Sequence, residues 1–257
     1  MAYNFYHTLK VISNRISGDN MNDKTDDPRR KFLIDALTYG VFGGVNTLGL
    51  MQASYALGDV PKKLPEGRSI YELKGQVRVD GQIATIETRI SASSRVETGQ
   101  NSQVIFVVGG DAFVLRSEGD LQMSGIGFLI TGMRILTGKI LSVFGERTKP
   151  HTITTLTATI GIRGTGIYIE SDPEKTYACT CYGHTHIVAL ADSNISKEIV
   201  TTYHDEPVFI LPAATGNKLI VPAPVINHTD TELSLIETLV GRTTPFGSGG
   251  YKLGKYD

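Results

Sequence analysis

The stretch from Thr154 to His186, TTLTATIGIRGTGIYIESDPEKTYACTCYGHTH, constrains the fold more than any other part of the chain. Its apolar residues recur at every second position, first in Ile160 and Ile162, then in Ile167 and Ile169. That is the period of a half-buried strand, not of a helix. Gly161, Gly164 and Gly166 interrupt the run. Glycine inside a strand pattern marks a bulge, a bend or a close backbone approach. The pattern predicts a strand, a kink at Arg163-Gly164-Thr165 and a second strand. Ser171-Asp172-Pro173-Glu174 predicts a turn, with proline presetting φ. Tyr177 to Tyr182 alternates again, Gly183 breaks the pattern and His184 to Val188 resumes it. Two short strands meeting at Tyr182-Gly183 are expected.

The same texture begins at Ile70. Val77 and Val79 alternate with polar partners before Asp80-Gly81, a hairpin turn signal, and Ile83 continues beyond it. Met133 to Phe144 carries β-branched residues around Gly138 and reads as two more short strands. The expected fold is mainly β: a sandwich, a roll or a short solenoid. One C-terminal helix is expected. Thr229-Asp230-Thr231-Glu232 forms a capping box, and Leu233, Ile236, Leu239 and Val240 follow on one helical face. Gly241 suits the position just past the helix end. The helix should run from Asp230 to Val240 and pack on the β domain.

The chain divides by composition into a leader (1–56), a Pro- and Gly-containing linker (57–69), a β domain (70–191), an extension with the capped helix (192–242) and a Gly-rich tail (243–257). In the leader, Arg29-Arg30 is followed by Phe32-Leu33, a mildly apolar run and small residues ending at Ala56. This resembles a twin-arginine secretion signal, with Met21 as an alternative start. Asp35 and Asn46 would be costly in a permanent span. The resemblance implies an N-terminal signal helix and a location in the periplasm or cell envelope, with membrane contact only through that segment if it is retained. The alternative is an ordinary amphipathic helix with an incidental dibasic pair, in a cytoplasmic protein.

Ala158-Thr159-Ile160-Gly161-Ile162-Arg163-Gly164-Thr165 resembles the A-x-x-G-x-R-G-T signature of FecR-like domains. Ser94 to Ser102 and the Val104–Leu115 segment around Gly109-Gly110-Asp111 resemble that family's upstream strands, in the right order. The similarity covers roughly Gly75 to Ala191. It implies a FecR-like β domain acting as a binding or interaction module, without catalysis, that meets an envelope protein or a small ligand. FecR proteins are membrane-spanning regulators that relay iron-siderophore status to a sigma factor. Here only about thirty residues precede the apolar run, which argues against their cytoplasmic signalling domain. Gly161, Arg163, Gly164 and Thr165 are then family architecture. Arg163 is expected to pair with an acidic side chain and pin a turn; its guanidinium next to glycines also suits a carboxylate or anionic ligand.

Charge excludes one class of partner. Lys and Arg number 25 against 26 Asp and Glu, so no basic excess points to nucleic acid. No phosphate-binding loop, H-E-x-x-H or G-x-S-x-G motif is present. The residues best suited to chemistry are Cys179, Cys181, His184 and His186. Strand residues two apart share a face, so each pair points one way. If the chain folds back at Tyr182-Gly183, the four converge on zinc or another thiophilic metal. His204, Asp205 and His228 are further possible ligands that nothing in the sequence places nearby. The alternatives are buried structural cysteines, a strained Cys179–Cys181 disulfide, or a Cys–His nucleophile pair lacking a recognisable orienting carboxylate. Asp111 and Asp120 each adjoin a glycine and read as turn residues.

Overall fold

The computed structural model describes residues 62–147, 151–215 and 218–246. The signal-like segment with Arg29, Arg30, Phe32, Leu33 and Ala56, and the tail beyond Phe246, lie outside the described residues.

The protein is mainly β. Among the described residues, fourteen strands form one sheet: β1 (Ile70–Lys74), β2 (Val77–Val79), β3 (Gln82–Ile83), β4 (Arg95–Thr98), β5 (Gln103–Val108), β6 (Asp111–Leu115), β7 (Asp120–Ile126), β8 (Leu129–Val143), β9 (His151–Thr154), β10 (Ala158–Ser171), β11 (Thr176–Ala189), β12 (Ser196–Thr201), β13 (Val208–Thr215) and β14 (Lys218–Pro222). Every strand except β3 sends a side chain into one apolar cluster that includes Phe106, Phe113, Ile135, Ile160, Ile187 and Ile210. A single sheet can share one core in this way only by curling round it. The segment after residue 191 supplies β12 to β14 of the same sheet, against β11 and against one another.

Pairing is antiparallel throughout except between β8 and β9. The hairpin expected at Asp80-Gly81 joins β2 to β3, with φ of 52° and 79° at the two turn residues. The expected break in Met133–Phe144 is absent. β8 is one strand that changes neighbours near Gly138: residues before it pair with β7 and β9, residues after it with β6 and β10. The sheet bends there without losing its ladder. Asp111 and Asp120 are not turn residues. Asp111 is buried at the start of β6, pairs with Arg147 and accepts the Gly145 N–H. Asp120 lies in β7 and takes a two-pronged contact from Arg95, at 2.9 and 2.6 Å.

Helix α1 (Asp230–Leu239) is the only helix among the described residues. The expected capping box is formed: Glu232 N–H donates to Thr229 Oγ1, and the Glu232 carboxylate accepts the Thr229 N–H. Leu233, Ile236 and Leu239 are buried against the outer face of the sheet, in a second cluster with Val114, Leu141, Tyr168, Tyr177, Cys179 and Cys181. Polar contacts fix the docking. Arg116 meets Glu232 at 2.6 Å, Tyr182 donates to Glu237, and Arg242 bridges Glu237 and the Gly110 carbonyl. The inner core shapes the sheet; the outer cluster brings the C-terminal segment over β10 and β11.

Candidate metal centre

β10 and β11 are the longest-paired strands, and the glycines of the sequence motif decide how they cross. Both run unbroken where a kink and a fold-back were expected. The register slips instead between Arg163 and Ile167. Gly183 has φ of 94°, and a Cβ there would sit 2.6 Å from the Gly164 carbonyl oxygen. A Cβ on Gly166 would meet the Tyr182 ring at 2.3 Å. Thr165 Oγ1 lies within 2.8 Å of the Arg163 carbonyl and 3.0 Å of the His184 carbonyl, and accepts the His184 N–H at 3.3 Å. The R-G-T element is therefore a bulge lock held by Thr165. Arg163 makes no ion pair among the described residues and pins no turn through an acidic partner.

The slip also switches which side chains face inward. Ala178 enters the inner core before it, Ile187 and Ala189 after it. Cys179 and Cys181 face the outer cluster under α1, with 0 % exposure each. His184 and His186 face outward further along the strand, past the edge of that cover. Because β11 does not fold back at Tyr182-Gly183, the two histidines do not join the cysteines. His184 Nε2 instead lies 2.6 Å from Glu198 on β12.

His204 and His228 come to the cysteines. Cys179 Sγ, Cys181 Sγ, His204 Nδ1 and His228 Nε2 all lie within 4.8 Å of one another. Cys179 Sγ is 3.6 Å from His204 Nδ1, which is 3.1 Å from His228 Nε2. In a tetrahedral zinc site with ordinary bond lengths, neighbouring donors are separated by about 3.3–3.8 Å. Cys179, Cys181 and His204 are buried, and His228 is partly so.

Each histidine is aimed by a second contact. His204 follows β12, and its N–H donates to the Cys181 carbonyl at 2.9 Å. Its φ is 45°, a left-handed conformation uncommon outside glycine and concentrated at functional positions. His204 Nε2 donates to Asp230 Oδ1 at 2.9 Å; Asp230 also accepts from Tyr203 OH at 2.8 Å. His228 precedes α1, stacks on Tyr168 with ring centres 4.6 Å apart, and donates from Nδ1 to the Ile226 carbonyl at 2.7 Å. The segment before it is held by Tyr177, whose hydroxyl contacts the Pro224 carbonyl at 2.9 Å.

These contacts assign the tautomers. With His204 Nε2 and His228 Nδ1 carrying protons, His204 Nδ1 and His228 Nε2 present lone pairs to each other. Two such lone pairs 3.1 Å apart beside two sulfurs are satisfied either by a shared proton or by a metal cation. With protons alone in that role, the Cys179 thiol is pushed down, chiefly by the Cys181 thiol donating to it, with both imidazoles adding to the effect. Burial pushes the Cys181 thiol up. His204 is raised to about 9: burial opposes its charge, but Asp230 and Cys179 outweigh it. Cys179, His204 and Asp230 thus also stand in the order of a nucleophile, base and orienting carboxylate. At 0 % exposure, however, Cys179 offers no substrate an approach. Both cysteines are free, with no disulfide between them.

No family model matches the chain, and no curated protein matches it. Two crystal structures of a protein from Parabacteroides distasonis ATCC 8503, described as a candidate anti-sigma factor, are similar over part of the fold. Each has a TM-score of 0.41 and 10 % identity, covering 50 % of this chain and 58 % of that one. A score this low carries no argument about function. No comparison shows the FecR-like family, which remains a resemblance of sequence motifs.

Proposed function

We propose that this chain is a metal-binding β-domain protein that holds one zinc ion, or another thiophilic divalent ion, through Cys179, Cys181, His204 and His228. The observation that carries the reading is the meeting of four soft and borderline donors, with both imidazoles already fixed by Asp230 and the Ile226 carbonyl. A carboxylate or carbonyl on the far nitrogen is the usual second contact of a metal-bound histidine. Four protein donors fill a tetrahedral shell and leave no position for water or substrate, which favours a structural ion over a catalytic one. The domain then acts as a binding or interaction module and not as an enzyme. Its place in the cell envelope is part of the same proposal and rests on the Arg29-Arg30 segment.

The test is metal content in untagged protein purified from its native compartment. About one equivalent of zinc is expected, falling to background in the C179S/C181S double variant and in H204A. H184A and H186A should keep it. Cobalt(II) substitution should give the intense visible bands of a tetrahedral thiolate site. A folded protein without stoichiometric metal, which takes up no cobalt, overturns the reading.

A further inference from the structure

The residues that the metal centre leaves aside gather in a second place. On the outer face of β10, β11 and β12, Gly161 lies opposite His186, and His186 opposite Glu198; in the next row Arg163 lies opposite His184, and His184 opposite Val200. Ile160, Ile162, Ile187 and Ile199 on the same strands point into the inner core. The alternation sends the intervening residues out. Gly161, Arg163, His184, His186 and Glu198 line one hollow of about 390 Å³.

Its polar groups are unevenly matched. Glu198 is engaged by His184, at 2.6 Å. Neither the Arg163 guanidinium nor the His186 imidazole has a hydrogen-bonding or ionic partner among the described residues. Gly161 contributes no side chain and so leaves the floor between them open. Arg163 and His186 are diagonal neighbours on antiparallel strands, a spacing of about 7–8 Å that long side chains can span through one small ligand. A guanidinium is a planar fork of donors that matches the two oxygens of a carboxylate or phosphate.

We propose that this hollow is a binding site for the carboxylate or phosphate group of a small molecule, with Arg163 as the two-pronged donor and His186 as the second contact. The His184–Glu198 pair forms its wall and supplies selectivity. Glu198 repels an anion that carries charge at both ends, whereas a singly anionic head with a neutral body fits beside exposed Val200. The site is separate from the Cys179–Cys181–His204–His228 cluster and does not depend on it.

The test is a titration of isotope-labelled, metal-replete protein followed by NMR, with inorganic phosphate and acetate as probes and chloride as the ionic-strength control. Saturable shifts of the Arg163 side chain, the His186 ring and the Gly161 amide are expected with phosphate or acetate and not with chloride. Preference for one probe tells a phosphate site from a carboxylate site. R163Q should weaken binding by about tenfold or more, the usual consequence of losing a charged hydrogen bond. E198Q should tighten it. R163Q breaks no ion pair, so its melting temperature and metal content should match those of the native protein, and failure here is distinct from failure of the metal assignment. Shifts that do not saturate, that chloride reproduces, or that persist in R163Q overturn the proposal.

Discussion

Buried His151 and half-buried Glu72 each hold a polar atom out of reach of any hydrogen-bond partner among the described residues, and they set opposing pH dependences. His151 packs its ring against Phe144, and neither ring nitrogen has a partner among the described residues. Burial lowers its pKa from 6.5 to about 4. The unfolded chain therefore binds the proton first, and stability drains away as pH falls from about 6.5 towards 4, by up to about 3 kcal/mol. Glu72 is the reverse case. Burial raises its pKa from 4.5 to about 7, with Lys74 opposing, and Oε1 has no partner. The folded state keeps that proton longer, so stability present at pH 4.5 is lost as pH rises through about 7. Between pH 4.5 and 6.5 the two slopes oppose each other. Urea unfolding from pH 4 to 8 should show H151L gaining on the native protein towards pH 4, and E72Q gaining towards pH 8 by about 1–3 kcal/mol. Parallel curves would mean that these side chains are hydrated. Neither residue is conspicuous in the sequence, because burial of a single polar side chain has no local signature. The same holds for the four proposed metal donors. The C-x-C pair was legible as soft ligands on one strand face. His204 and His228 were legible only as residue types, since 25 residues separate Cys179 from His204 and 24 separate His204 from His228.

At the level of elements, the crossing of β10 and β11 depends on Gly183. Alanine there would have to hold φ near 94° and clear a carbonyl oxygen at 2.6 Å, a backbone atom that cannot swing aside. G183A should cost about 2–4 kcal/mol, seen as a lower unfolding midpoint. It should also weaken metal binding, because Gly183 lies two residues from Cys181. T229A is a milder change of known kind: it removes the acceptor for Glu232 N–H and should cost about 1 kcal/mol. A G183A protein as stable as the native one would show that the bulge can relax. The contrast explains what sequence reading could reach. The capping box was legible because both partners lie within one turn. The hairpin at Asp80-Gly81 was legible because two residues determine it. The continuity of β8, β10 and β11 was not, because glycine with positive φ ends an isolated strand pattern but not a strand whose neighbours carry the ladder across it.

For the whole molecule, the proposed ion would join three segments that the chain brings together only at the end: β11, the connection from β12 to β13, and the stretch leading into α1. Without it, α1 is still held by Leu233, Ile236 and Leu239 and by the Arg116–Glu232 and Arg242–Glu237 pairs. The inner core, to which thirteen strands contribute, includes none of the four donors among the described residues. Metal removal should therefore loosen one side of the molecule instead of unfolding it. After treatment with a strong chelator under reducing conditions, hydrogen exchange should speed up in residues 203–206 and 224–240, while β5, β6 and β8 stay protected. Stability should also follow free zinc by mass action, rising about 1.4 kcal/mol for each tenfold excess over the dissociation constant. Global loss of protection would mean that the curled sheet cannot persist without its C-terminal cover, so that the ion acts on folding as a whole. Unchanged exchange in both regions, with zinc making no difference to the melting temperature, would leave Cys179, Cys181, His204 and His228 as a proton-sharing cluster inside an ordinary core and remove the metal from the account.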